Sequence, residues 1–194
     1  MLARTGLSIA LFLSPLALSS ALASSWLTTG RSASVPYGHM EYCQRHRYDC
    51  GRHGGVGALA DARLATLSQV NLAVNRSIEP MSDQKAHGTR EIWLASTRAG
   101  DCEDYVLAKR NKLLRRGFKP GHLRIAVGRS RGEVHAVLVV RTTQGDLVLD
   151  NNTDEVLPVN RSRMRFAKLQ SATDAAKWVR VTGRTSDPDR VTLR

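Results

Sequence analysis

The chain has 194 residues, 42% apolar, 24% charged and 5% aromatic, with 15 Gly and 6 Pro. That composition excludes collagen-like, low-complexity and intrinsically disordered classes, and the length suffices for one globular core without metal or disulfide staples. Lys and Arg outnumber acids 29 to 17, and the net charge of +12 calls for an anionic partner: nucleic acid, an envelope polymer or an acidic protein.

The first element is an address. Arg4 precedes an apolar run over 7–18, and Ala21-Leu22-Ala23 follows, the pattern of a secretory signal peptide cleaved after Ala23. The run is too short to span a bilayer and Pro15 interrupts it, so no integral membrane segment is expected in the mature chain. Losing Arg4 takes the net charge from +12 to +11. Export places the protein in the periplasm or outside the cell, and this bears on its three cysteines. Cys43, His46, Cys50 and His53 are spaced as a four-ligand zinc site, or Cys43 and Cys50 close a short disulfide loop. An oxidising compartment and the basic neighbours Arg45, Arg47 and Arg52 favour the disulfide.

Residues 24–57 carry no clear period and are read as an irregular segment. Over 58–78, Leu67, Val70, Val74 and Ile78 recur at helical spacing, and the helix must end before Pro80. A polar loop over 81–89 leads to a short segment with Ile92, Trp93 and Leu94. The next helix is better marked: Asp101 is its N-cap, acids fill the first turn, and Gly117 follows Arg115-Arg116 at the far end. From 123 the period changes to two, which predicts strands over 123–128, 133–141 and 146–151, the last two joined by a hairpin over 142–145. Further strands are expected over 164–169 and 177–181, then a loose polar tail from 183. Helices first and antiparallel sheet after give an α+β fold, with the domain over 58–182.

Ala99-Gly100-Asp101-Cys102-Glu103-Asp104-Tyr105 puts a cysteine at the amino end of the marked helix. There the helix dipole and free backbone N–H groups stabilise a thiolate and the oxyanion that its attack on a carbonyl creates. The competing reading is a buried structural cysteine. His135 lies in the strand Glu133-Val134-His135-Ala136-Val137, where it is either a hydrogen-bonded core residue or a base. The hairpin puts Asp150 opposite residues 134–138, within cross-strand reach of His135. Cys102, His135 and Asp150 therefore supply nucleophile, base and orienter in chain order.

These motifs, Gly100 to Tyr105, the His135 strand and Leu149-Asp150-Asn151, resemble the bacterial transglutaminase-like cysteine proteinases, whose LapG-type members are periplasmic and release biofilm adhesins. The likeness extends to the Cys43 and Cys50 loop, to Val74-Asn75, to Pro80-Met81-Ser82-Asp83 and to Trp93, over roughly residues 36–180. It implies a papain-like fold of the transglutaminase kind, with a nucleophile helix on an antiparallel sheet. It also implies catalytic roles for Cys102, His135 and Asp150, a protein substrate such as an acidic surface adhesin, and an inner-membrane regulatory protein as a further partner. Between Leu157 and Phe166 the aromatic residues expected from the resemblance are missing, with Val159 and Arg165 there.

Three acids beside Cys102 oppose a thiolate unless they only complement the helix dipole or a cation neutralises them. Calcium suits flexible carboxylate clusters. The resemblance implies Ca2+ held by Asp101 and Glu103, with Asp104 a further ligand. Trp93 is read as core or as part of an oxyanion pocket, and Arg110, Lys112, Arg115, Arg116 and Lys119 as a solvated helix face or a steering patch for an acidic substrate. His39, His46, His53, His87 and His122 read as surface or loop residues. No aromatic platform or motif for nucleic acid is present. The sequence thus predicts a periplasmic cysteine endopeptidase, with transglutaminase-type acyl transfer and a non-catalytic basic envelope-binding module as the rival readings.

Overall fold

The alternation seen in the second half of the chain becomes a seven-stranded antiparallel sheet. The computed structural model describes residues 24–53, 63–89, 91–95 and 98–187; the signal peptide and the first part of the expected 58–78 helix lie outside them. The elements run β1 (Trp26–Ala33), α1 (Tyr37–Arg45), a 3-10 turn (Arg47–Cys50), α2 (Leu64–Asn75), β2 (Glu79–Pro80) and α3 (Asp83–His87). They continue with β3 (Ala99–Gly100), α4 (Cys102–Leu114), β4 (Leu123–Ser130), β5 (Glu133–Thr142), β6 (Gly145–Leu149), β7 (Leu157–Pro158), β8 (Arg165–Gln170) and β9 (Trp178–Thr185). The sheet order is β1-β9-β8-β4-β5-β6-β7, while β2 and β3 form a small parallel pair.

Residues 136–140 of β5 are an uninterrupted apolar run because both faces are covered there. Ala136, Leu138 and Val140 join a core with Val70 and Val74 of α2 and Val106 and Leu113 of α4. Val137 and Val139 join a second core with Leu27, Val148, Met164 and Leu169. The β5–β6 ladder pairs Leu138 with Leu149 and Thr142 with Gly145, leaving Thr143 and Gln144 as the expected two-residue turn.

Two expectations need correction. Of the expected irregular segment over 24–57, residues 24–53 are described and are not irregular: β1 pairs with β9 as the edge of the same sheet, and α1 packs His39 and Tyr42 inward. The domain therefore starts before residue 58. Only Trp26 and Leu27 of β1 are fully buried, and the buried face of α1 is Gly38, His39 and Tyr42, so neither element shows an apolar period. The start of the expected loose tail is the other correction, since β9 stays paired to Thr185; residues 188–194 lie outside the described residues.

The same packing revises several side chains. Cys43 and Cys50 form a disulfide, which excludes their sulfurs as zinc ligands. His39 is buried rather than superficial: Trp178 Nε1 donates to its Nδ1 at 3.2 Å, and Trp93 lies edge-on to its ring. His122 is also buried. Arg110 is not solvated, since its guanidinium donates to the Leu123 carbonyl at 3.3 Å, out of water. Trp93 is a core residue whose Nε1 donates to Glu91 Oε2.

Candidate active site

Helix α4 starts at Cys102, where the parallel β2–β3 pair delivers the chain. Asp101 occupies the N-cap position in extended backbone, but its side chain makes no capping bond. Its carboxylate instead accepts the Asp83 N–H at 3.4 Å. The β2–β3 pairing is what brings Asp83, eighteen residues earlier, beside Asp101. Cys102 is the free cysteine; its thiol donates to Glu103 Oε2 at 3.1 Å, and Sγ accepts the Ala136 N–H of β5 at 3.3 Å. The nucleophile helix and the histidine strand are thereby joined at the sulfur itself.

His135 sits one residue before that contact. Continuing the β5–β6 register puts Asp150 opposite Val137 and diagonal to His135, on one face of the sheet. His135 Nε2 and Asp150 Oδ1 are 2.8 Å apart, with both side chains mostly buried. With Nε2–H donating to the carboxylate, Nδ1 is the ring nitrogen left to accept a proton. Burial pushes Asp150 up, but the His135 bond, the Asn152 N–H and the charges of His135 and Lys109 outweigh it, so its carboxyl is held below the usual range. An ionised orienter is what an imidazole base needs.

Two side chains at this point were missed in the sequence. The Asn152 amide lies 3.1 Å from His135 Nε2, and its backbone N–H donates to Asp150 Oδ1 at 2.9 Å. Lys109, two turns into α4, is fully buried, and burial pushes it down to about 7 although Asp150 and Asp154 pull the other way. A lysine at helical spacing reads as a solvated position, so only the packing of α4 against α2 and β5 reveals it. The legible hint was weaker: Asn152 closes the Asp150-Asn151-Asn152 run after β6.

Asp83, Glu103 and Asp104 near Cys102 are buried and Asp101 is half-buried, and a carboxylate taken out of water is costly unless it is paired. Asp83 Oδ2 accepts the Ile92 N–H at 2.5 Å and Asp104 Oδ1 accepts the Leu94 N–H at 2.7 Å. The remaining oxygens, Asp83 Oδ1, Asp101 Oδ1 and Asp104 Oδ2, are buried without a hydrogen-bond partner. Asp83, Asp101 and Asp104 each place a carboxylate oxygen within 4.8 Å of the others, a donor set that suits a hard cation. Glu103 lies in a second group with Asp101 and Cys102. Burial and the adjoining Asp101 carboxylate push Glu103 up to about 9, and burial pushes Asp104 up to about 7. Burial, then the Glu103 charge, pushes the Cys102 thiol up, against the Ala136 N–H.

The family model for bacterial transglutaminase-like cysteine proteinases matches residues 29–186, a span that includes every group just described. The chain belongs to this proteinase family. Its members' fold is seen again in the solved structure of calcium-bound Legionella pneumophila LapG. That structure is 22% identical, matches 62% of this chain and 70% of the LapG chain, and has a TM-score of 0.52. A second Legionella pneumophila LapG structure is 24% identical over 54% of this chain and 62% of that chain, with a TM-score of 0.46. Comparison with curated proteins returns no match. Cysteine proteinase chemistry and the transglutaminase-like fold therefore describe this chain, and no helix among the described residues is long and apolar enough to cross a membrane.

Proposed function

We propose that the chain is a periplasmic cysteine endopeptidase that hydrolyses an envelope-associated protein through Cys102, His135 and Asp150. One observation carries the reading: the His135–Asp150 pair at 2.8 Å stands next to the residue whose N–H binds the Cys102 sulfur at 3.3 Å. The export signal and the Cys43–Cys50 disulfide support the periplasm.

His135 Nδ1 takes the Cys102 thiol proton, and the imidazolium is stabilised by Asp150. The thiolate attacks the scissile carbonyl carbon, and backbone N–H groups at the start of α4 hold the oxyanion. His135 then returns the proton to the leaving amine, and the acyl-enzyme C–S bond breaks when water, deprotonated by the same ring, attacks it. Asn152 and Lys109 help fix the carboxylate that orients the ring.

Calcium fits the orphaned oxygens of Asp83, Asp101 and Asp104, with Glu103 adjoining them. Bound there, it would supply positive charge beside Cys102 and offset the carboxylates that oppose the thiolate. The calcium-bound state of the Legionella LapG structure points the same way.

The test is to incubate the mature protein with envelope fractions and map new termini. New termini are expected with wild type and not with Cys102→Ala. Identical termini with both proteins, or none with wild type, would refute an endopeptidase.

A further inference from the structure

Asp150 and Asn152, the two side chains against His135 Nε2, also line a cavity of about 310 Å³. Arg131 from the β4–β5 turn and Arg161 and Arg163 from the loop after β7 line it, together with Asp150, Asn152 and the apolar Leu157. These three arginines lie on the stretches flanking the site, and all are exposed to solvent at the cavity mouth. Among the described residues, none of them pairs with a carboxylate. The one carboxylate in the wall, Asp150, is already bonded to His135. Three cations against one engaged acid leave the cavity positive, and guanidinium groups are suited to gripping a carboxylate in two-point fashion.

Arg131 adds an independent sign. The β4–β5 turn is Arg131-Gly132, with φ of 51° and 89°, and Arg131 is the one non-glycine residue with positive φ among the described residues. Turns of this kind take Asn, Asp or Gly at both positions because a Cβ is strained there. The turn accounts for the positive φ but not for an arginine there, where Asn, Asp or Gly would close the hairpin with less strain.

We propose that this cavity is a substrate subsite for an acidic side chain, Asp or Glu, lying on the carboxy-terminal side of the cut bond. The side follows from chemistry. His135 must face the leaving amine to protonate it, so the departing half of the substrate runs past the histidine toward Asp150 and the cavity it lines. Leu157 covers the methylenes of the acid while the guanidinium groups take its oxygens. The inference rests on the peptidase reading above.

A proteome-derived peptide library, digested with wild type and sequenced at the new termini, tests it. Cut peptides should show about tenfold enrichment of Asp or Glu at one fixed position within a few residues after the cut, the scale of one charge-assisted contact. The enrichment should fall toward background for Arg131→Gly, which keeps the turn's backbone at ease, and for the double variant Arg161→Gln, Arg163→Gln. Arg161→Glu should turn it toward Lys and Arg. Cleavage without acidic enrichment, or enrichment that survives these variants, overturns the subsite and leaves the peptidase standing. A library that wild type leaves uncut overturns both.

Discussion

The side-chain amide of Asn75 donates to the backbone carbonyl of Asp150 at 3.1 Å, so α2 holds the chain where the triad acid leaves the sheet. The same amide donates to the Thr153 carbonyl at 3.0 Å and reaches Asp154 Oδ1 at 3.1 Å. One turn earlier, Asn71 donates to the carbonyls of Thr153 and Asp154, both at 3.0 Å. Two asparagines four residues apart on one helix face thus clamp the loop that carries Asp150 and Asn152. Asn75→Ala strips donors from partly buried carbonyls, a loss of about 1–3 kcal/mol, and lets Asp150 drift from His135. The expected result is a kcat about tenfold lower with KM little changed, because orientation rather than substrate binding is affected. A drop in melting temperature with kcat intact would make the clamp purely structural.

Lys109 sets stability against activity. Its folded pKa of about 7 lies below its ordinary 10.5, so the unfolded chain binds more protons between those values and stability rises with pH across that window. Lys109→Met removes the buried charge and should raise the melting temperature at pH 7 while flattening the alkaline rise. It should also lower kcat, since the cation that favours ionised Asp150 is lost. Unchanged turnover would free Lys109 from any part in the site.

His39 governs the acid side. Burial, then the Arg110 charge, pushes it down to about 4 from 6.5, so it is neutral in the fold and charged in the acid-unfolded chain. Its contribution is complete above pH 6.5 and is lost as pH falls toward 4, on the order of 3 kcal/mol over the window. Denaturant melts of wild type and His39→Gln from pH 7 to 4 should show the variant less pH-dependent. Parallel curves would assign the acid sensitivity to other groups.

The α4, β5 and β6 elements were legible because their signals are local. An acid-rich helix start, an unbroken apolar strand and a two-residue turn each declare themselves within ten residues. The nearness of Asp150 to His135 followed from that hairpin, while the contact of Cys102 with β5 is a tertiary one. What stayed hidden depends on contacts distant in sequence. Asp83 reaches Asp101 only through the β2–β3 pair, and Asn71 and Asn75 look like polar interruptions of α2 until the 150–154 loop lies against them. Likewise α1 buries a glycine, a histidine and a tyrosine, because Gly38 lets the helix approach Trp93 closely, and no apolar count detects such a face.

The acidic cluster predicts a thermal response. Calcium that binds the folded chain alone adds about 2.7 kcal/mol at a hundred times its dissociation constant, so it should raise the melting temperature and a chelator should reverse the rise. Asp83→Asn or Asp104→Asn should reduce the response, since each contributes an otherwise unpartnered oxygen. Magnesium should substitute poorly because it prefers stricter octahedral geometry. A calcium shift that Asp83→Asn leaves intact would place the cation elsewhere.

The central claim is that His135 activates Cys102, and the alkylation rate of that one free thiol tests it most directly. Native protein is treated with iodoacetamide at pH 7, in calcium, and followed by intact mass. Burial and Glu103 push the isolated thiol up, so without a base it should react slowly. The account predicts rapid single labelling of wild type, absent in Cys102→Ala, and labelling at least about tenfold slower in folded His135→Ala. Equal rates in wild type and His135→Ala would contradict it.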